Sequence, residues 1–236
     1  MNLDLREARQ PRKTAYRFPA DQETRQRLFD VAARLFAERG FKKVTVREIC
    51  RMARANVASV NYHFGDKLGL YTAVVWAAIE HMQKTGDAVV QAGKGLPPEE
   101  KLRSYLRVYL RRVVSEGRGS WIHKLIAHEL ADPTPALNLV VERAIRPRIA
   151  YLSAVVSELL GCDPKDRRVT RCVVSIQGQC LINTMDLFSP VTARLGAAWQ
   201  VAPGEINELA GHIAAFSLAG IRALAHPAAN RPSASD

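Results

Sequence analysis

Apolar side chains recur along this 236-residue chain at steps of three and four. No run alternates like a strand before a hairpin turn. Leu28, Val31, Ala32, Leu35 and Phe36 form the first such stripe, in a helix that begins near Asp21 and ends at Gly40, a glycine placed as a C′ residue. Thr45 and Glu48 have the spacing of a capping box and start a helix of about two turns that carries Ile49, Cys50 and Ala53. Arg54 and Ala55 break it. Asn56 caps a third helix that Gly65 closes, and Asp66 caps a long one from Leu68 to about Gln91.

The pattern stays helical to the end. Leu102, Tyr105, Leu106, Tyr109, Leu110 and Val113 share one face, and the sequence GRGS at 117–120 breaks that helix. Trp121–Leu130 follows, then Ala136–Leu160 with Pro147 as a kink, then Arg167–Leu187. Pro203 and Gly204 introduce a last helix, Glu205–Ala223. These elements predict an all-α protein of about nine helices. Residues 1–20 read as a flexible basic arm and 226–236 as a loose tail, with the helices of 21–82 and 83–225 between them.

Composition changes the picture in one respect. Residues 1–70 hold 15 Lys/Arg against 8 Asp/Glu, so much of the formal charge of +11 sits in the first third. A solvated surface or a polyanionic partner would account for it. The longest uncharged apolar runs fall short of a membrane span, and no signal pattern opens the chain, so a cytoplasmic protein without a membrane partner is expected. Cys50, Cys162, Cys172 and Cys180 form no CxxC pair and read as thiols in a reducing compartment.

Two short helices joined by a tight break and preceded by a stabilising helix make a helix-turn-helix. The second must enter a major groove, so its exposed face needs small residues for close approach and polar ones for base edges. Val57, Ala58 and Ser59 are small, and Asn61 and Tyr62 are longer and polar. Val60 and Phe64, four apart, are left to anchor the helix. That division accounts for the low helix propensity of the segment, since packing rather than propensity holds it.

Here the sequence resembles a known family. Thr24-Arg25-x-x-Leu28, the run Ala32, Ala33, Leu35, Phe36, Ala37, Glu38, Gly40 and Phe41, Thr45-Val46-Arg47-Glu48-Ile49, and Asn61-Tyr62-His63-Phe64-x-x-Lys67 look like the TetR/AcrR regulators across residues 21–82. The stretches from His128 to Leu137 and from Gly161 to Cys180 resemble one subgroup with its own C-terminal domain. The resemblance implies a homodimeric, all-α repressor released from a palindromic operator in double-stranded DNA by a small-molecule effector, with 21–82 as the helix-turn-helix DNA-binding domain, its motif at 45–64, and 83–225 as the ligand-binding and dimerisation domain. It implies phosphate contacts at Thr45, Arg47, Tyr62, His63 and Lys67, and base-facing positions at Val57, Ala58, Ser59 and Asn61, with Asn56 opening the reading helix. His63 also reads as a core residue, and Ser59 as one that only holds the helix. The family usually has glycine in the turn, where this chain has Arg54. If φ is positive there, an arginine costs about 1–2 kcal/mol.

In the second half, the resemblance places an intersubunit bundle at helices 167–187 and 205–223, where Gly178, Gly211, Ala214, Ala215 and Gly220 would allow close approach. Tyr105, Tyr109, Trp121, His128, Gln177, Asn183, Phe188 and Trp199 are the candidate ligand contacts, being large or being polar within apolar helices. The long helix ahead of residue 91 is the natural lever between pocket and reading head.

Three rival readings fit the sequence less well. Catalysis lacks a recognised motif, and Cys180 with His212 lacks an orienting group. A metal sensor built on Cys172, Cys180, His123 and His128 lacks matching spacing. A constitutive architectural DNA binder would not require so large a C-terminal domain. No catalytic residue, cofactor or metal is expected.

Overall fold

The computed structural model describes residues 19–115, 120–184, 189–196 and 203–225, and every regular element among them is helical. The GRGS break, Phe188, Trp199, the basic arm up to residue 18 and the tail all lie outside the described residues, apart from Ser120.

Local chemistry sets the first boundaries. α1 runs Pro19–Lys43 and bends at Gly40 (φ 76°, ψ 168°), so the glycine ends the straight helix as expected before one short turn more. The positive φ favours a glycine, and a Cβ there would also press on the His128 ring, 3.2 Å from its Nδ1. α2 spans Val46–Ala53, and Thr45 Oγ1 accepts from the Glu48 amide at 3.2 Å. Only half of a capping box forms, because the Glu48 carboxylate turns to the Arg39 guanidinium and ties α2 to α1. That pairing holds the carboxyl below its ordinary range. α3 (Val57–Phe64) and α4 (Lys67–Gly93) open on the side chains of Asn56 and Asp66, which accept from Ser59 N at 2.8 Å and Gly69 N at 2.7 Å.

Beyond α4 come α5 (Pro98–Ser115), α6 (Trp121–Ala131), α7 (Leu137–Val140) and α8 (Arg146–Leu160). The kink expected at Pro147 is not a simple bend. Residues Val141–Ile145 form a π-helical segment between α7 and α8, and Pro147 stands in the first turn of α8. Proline cannot donate to a carbonyl four residues back, so the Arg143 carbonyl is left without that bond. Gln83 of α4 supplies a donor instead, its Nε2 reaching that oxygen at 3.0 Å. α9 is Arg167–Thr184, α10 is Ser189–Leu195, and α11 is Ile206–Ala225. α10 was not expected, since no apolar stripe marks its seven residues.

Burial separates two cores. The first gathers Leu28, Phe36, Ile49, Val60, Leu70, Tyr71 and Ile79 with Ile122 and Leu125 of α6, Val140 of α7 and Ala144 of the π segment. The second gathers the α5 face from Leu102 to Val113 with Leu152, Val156, Ile176, Cys180, Ile213 and Leu218. By packing, α6 thus belongs with the N-terminal helices although it lies far beyond residue 83. α4 contributes to both cores, through Tyr71 to Ile79 in the first and Val89 in the second.

α4 and α6 are further joined by a buried polar network. Glu129 is 1% exposed, and its carboxylate accepts from the Tyr71 hydroxyl, the Thr134 amide and the Thr134 hydroxyl. Burial and that bond together raise the Tyr71 hydroxyl pKa well above its ordinary value.

Candidate nucleic-acid interface

The reading head is held from behind. Val60 is fully buried and Phe64 packs partly against the first core, as their spacing predicts. Arg25 lies over the Phe64 ring at 5.2 Å, and Arg27 of α1 donates from Nε to the Ala53 carbonyl at the end of α2. The turn between α2 and α3 closes on Ala55 N to Cys50 O at 2.9 Å and on Cys50 Sγ to Asn56 O at 3.4 Å. Burial raises the pKa of the Cys50 thiol, which keeps it in its donor form.

Arg54 caps α2 at φ 50°, ψ 48°, and it is the one non-glycine with positive φ among the described residues. The condition for strain at this turn is met. Its amide bonds to Arg51 O, and its exposed side chain makes no bond to the protein.

In front, α3 offers a small, open face. Val57, Ala58 and Asn61 are exposed, and Tyr62 is the most exposed of its large apolar neighbours at 71%. The side chains of Asn61 and of exposed Arg47 have no protein partner. Asn56 is occupied, since its Oδ1 accepts from both the amide and the hydroxyl of Ser59. That bond ties Ser59 to the helix start. Beside α3 runs an open groove of about 300 Å³, lined by Asp21, Thr24, Asn56, Ala58, Ser59, Tyr62 and His63. Asp21 and Thr24 were not among the expected site residues, as nothing in the α1 pattern marks a residue that will stand beside another helix.

Two expected phosphate contacts have further duties. The His63 side chain is 3% exposed, its Nε2 lies 3.3 Å from Asp21 Oδ1, and its ring meets that of Tyr62 edge-on. Lys67 opens α4 with its Nζ 4.3 Å from the centroid of Phe41, and burial lowers its pKa. Its position beside the first amides of α4 suits an anion. Thr45 is exposed at the head of α2.

The candidate ligand residues do not form one cluster. Tyr105, Tyr109 and Gln177 come together in the second core, with Gln177 Nε2 bonded to the Tyr105 hydroxyl at 2.6 Å. Trp121 lies instead against α1, beside Phe29, Asp30, Ala33 and Arg34, and His128 against Gly40. Asn183 spends its amide on the Gln179 carbonyl one turn back. Arg148 is the residue missed. Its Nη1 donates to the Tyr109 hydroxyl at 3.0 Å, and nothing in its Arg-Pro-Arg context marks which arginine turns inward.

Among the described residues no group of three or more His, Cys, Asp or Glu could hold a metal, and no helix is long and apolar enough to cross a membrane. Cys180 faces the core, its thiol pushed up to about 12 by burial, while His212 stands exposed on α11. A thiol held protonated is a poor nucleophile.

Residues 28–74 match the model of the bacterial regulatory proteins of the tetR family, and residues 98–221 match the C-terminal domain of the HTH-type transcriptional dual regulator CecR. The CecR regulator of Shigella flexneri is 26% identical over 196 residues, covering 80% of this chain and 86% of its own. The AcrR regulator of the same organism is 32% identical over 154 residues, 62% of this chain and 71% of its own. A TetR-family regulator of Streptomyces coelicolor superposes with a TM-score of 0.60 at 17% identity, covering 85% of this chain and 97% of its own. The fatty acid degradation regulator FadR of Bacillus halodurans does so at 0.57 and 16% identity, covering 88% and 99%. Helix-turn-helix geometry, all-α fold and matches in both halves agree: the chain is a transcriptional regulator of the TetR family with a CecR-type C-terminal domain.

Proposed function

We propose that this regulator is a homodimeric repressor that occupies a palindromic operator and leaves it when a small molecule binds the C-terminal domain. The observation that carries the reading is the outward face of α3. Val57, Ala58, Asn61 and Tyr62 stand exposed on a helix anchored by Val60, and Arg47 stands exposed and unpaired nearby. Val57 suits a thymine methyl, and Asn61 can donate to and accept from a base edge. Arg47, Thr45, Tyr62 and Lys67 suit backbone phosphates, which fix register. His63 acts with them by orienting α3 through its pairing with Asp21, and Asn56 and Ser59 hold the helix start.

A second face of α9 and α11 supports the dimer. Val174 and Ile182 on α9 and Phe216 on α11 are 64%, 54% and 66% exposed, unusual for large apolar side chains on a monomer surface. Gly178, Gly211 and Gly220 have open space above them, which admits a closely approaching helix. Ala215 shares that outward face, but Ala214 is 1% exposed within its own core and is no part of it.

Tyr105, Tyr109 and Gln177 are the ligand contacts favoured by this reading, because polar groups are gathered there in an apolar interior. Selection of bound sequences from a random DNA pool tests the proposal. An inverted repeat with half-sites about 10 base pairs apart, or a multiple of that, is expected. A consensus without two-fold symmetry, or none, would refute it.

A further inference from the structure

We propose that the effector is an organic carboxylate that pairs with Arg148 beside the tyrosine cluster, and that this pairing acts on the π segment just ahead of it. The inference rests on the ligand-responsive reading above.

The charge balance around Arg148 is the starting point. Its guanidinium lies 5.0 Å from the centroid of the Tyr109 ring, and its Nη1 bonds to the hydroxyl of that tyrosine. Its Nε is shut off from solvent and has no hydrogen-bond partner. No carboxylate among the described residues pairs with it. Guanidinium groups withdrawn from water are ordinarily paired, because the desolvation cost is otherwise unrecovered. Ring contact offsets part of that cost and leaves the charge in place.

The surroundings are rich in donors and poor in acceptors. The guanidinium offers no acceptor of its own, and the proton of the Tyr109 hydroxyl, whose oxygen accepts from Nη1, has no partner. Tyr105 is already served by Gln177, which can donate or accept according to the orientation of its amide. Cys180, held as the neutral thiol, adds no negative charge. An incoming carboxylate would accept from Arg148 Nε and Tyr109 and bring the single charge that one guanidinium balances. A phosphate monoester would bring nearly two. The rings of Tyr109, Tyr105 and Tyr151 stack in sequence at 5.7 and 6.2 Å, so the surroundings of the guanidinium are aromatic and suit the apolar part of such a molecule.

A second observation ties this position to regulation. Arg148 follows within three residues of the only π-helical segment among the described residues, and such segments recur at functional sites. Within it, Ala144 belongs to the core of the reading head, the Arg143 carbonyl takes Gln83 of α4, and the Arg143 side chain lies over Trp76 of α4 at 6.0 Å. An anion that draws Arg148 toward itself pulls on a segment already attached to α4.

Calorimetric titration of the full chain without DNA tests the pairing, with decanoate and 2-naphthoate as probes and decanamide and 2-naphthamide as neutral counterparts. At least one acid should bind about ten-fold or more tightly than its amide. Arg148→Met should abolish that preference while melting no lower than the parent, and Arg148→Lys should keep part of it. Equal binding of acids and amides, no binding of either acid at about 1 mM, or a lower melting point for Arg148→Met would each overturn the inference. Operator retention in the same samples separates the two levels. Release by a neutral compound and not by an acid defeats the anion and leaves the repressor, whereas a parent protein that binds no operator defeats the repressor itself.

Discussion

At Arg54 the backbone sits at φ 50°, where a Cβ meets the following carbonyl and an L-residue is strained by about 1–2 kcal/mol. Glycine would remove that strain and lose part of the gain to the greater freedom of the unfolded chain. Arg54→Gly should therefore stabilise the protein by about 0.5–1 kcal/mol, read from thermal unfolding. Weakened operator binding at an unchanged melting temperature would instead mean that the guanidinium touches DNA. Arg47 makes the opposite case. Its exposed side chain has no protein partner, so Arg47→Ala should leave the melting temperature alone. It should weaken binding alike for all sequences and lower the salt slope by about 1.

Among the elements, the short-range ones were legible and the long-range ones were not. Thr45, Asn56 and Asp66 announce three helix starts because a capping side chain acts within three residues of itself. The division of α3 was legible too, since Val60 and Phe64 share the inner stripe and Val57, Ala58, Asn61 and Tyr62 stand outside, whereas the burial of the His63 side chain against Asp21 was not. Glu48 was misread as a full capping box because Arg39, nine residues away in sequence, competes for it. Trp121 and His128 were grouped with the ligand candidates for being large or polar within apolar helices, and sequence says nothing of which helix they will face. Both pack on α1, apart from the tyrosine cluster. The Tyr71–Glu129 bond between α4 and α6 was equally invisible, as its partners lie 58 residues apart. Tyr71→Phe leaves a buried carboxylate short of a donor and should cost about 1–3 kcal/mol in chemical denaturation. It should also alter the response to ligand more than the affinity for operator. A stability equal to that of the parent would show that the bond contributes nothing net.

For the molecule as a whole, the proposed function puts assembly and signalling in the same C-terminal half. Ile182→Glu with Phe216→Glu places two charges on the outer faces of α9 and α11 without entering either core. Sedimentation should report a folded monomer, with operator affinity lost because one reading head cannot span two half-sites. A variant still dimeric at micromolar concentration would move the interface elsewhere. α4 passes through both cores, and its 27 residues make a rod about 40 Å long. A swing of about 5° at its Gly93 end carries Lys67 sideways by about 3.5 Å, close to the rise of one base pair. In a two-fold dimer the two displacements add, so sub-ångström motion near the pivot becomes a mismatch of roughly two steps along the duplex. A rod of this length turns a small rearrangement at one end into a register error at the other.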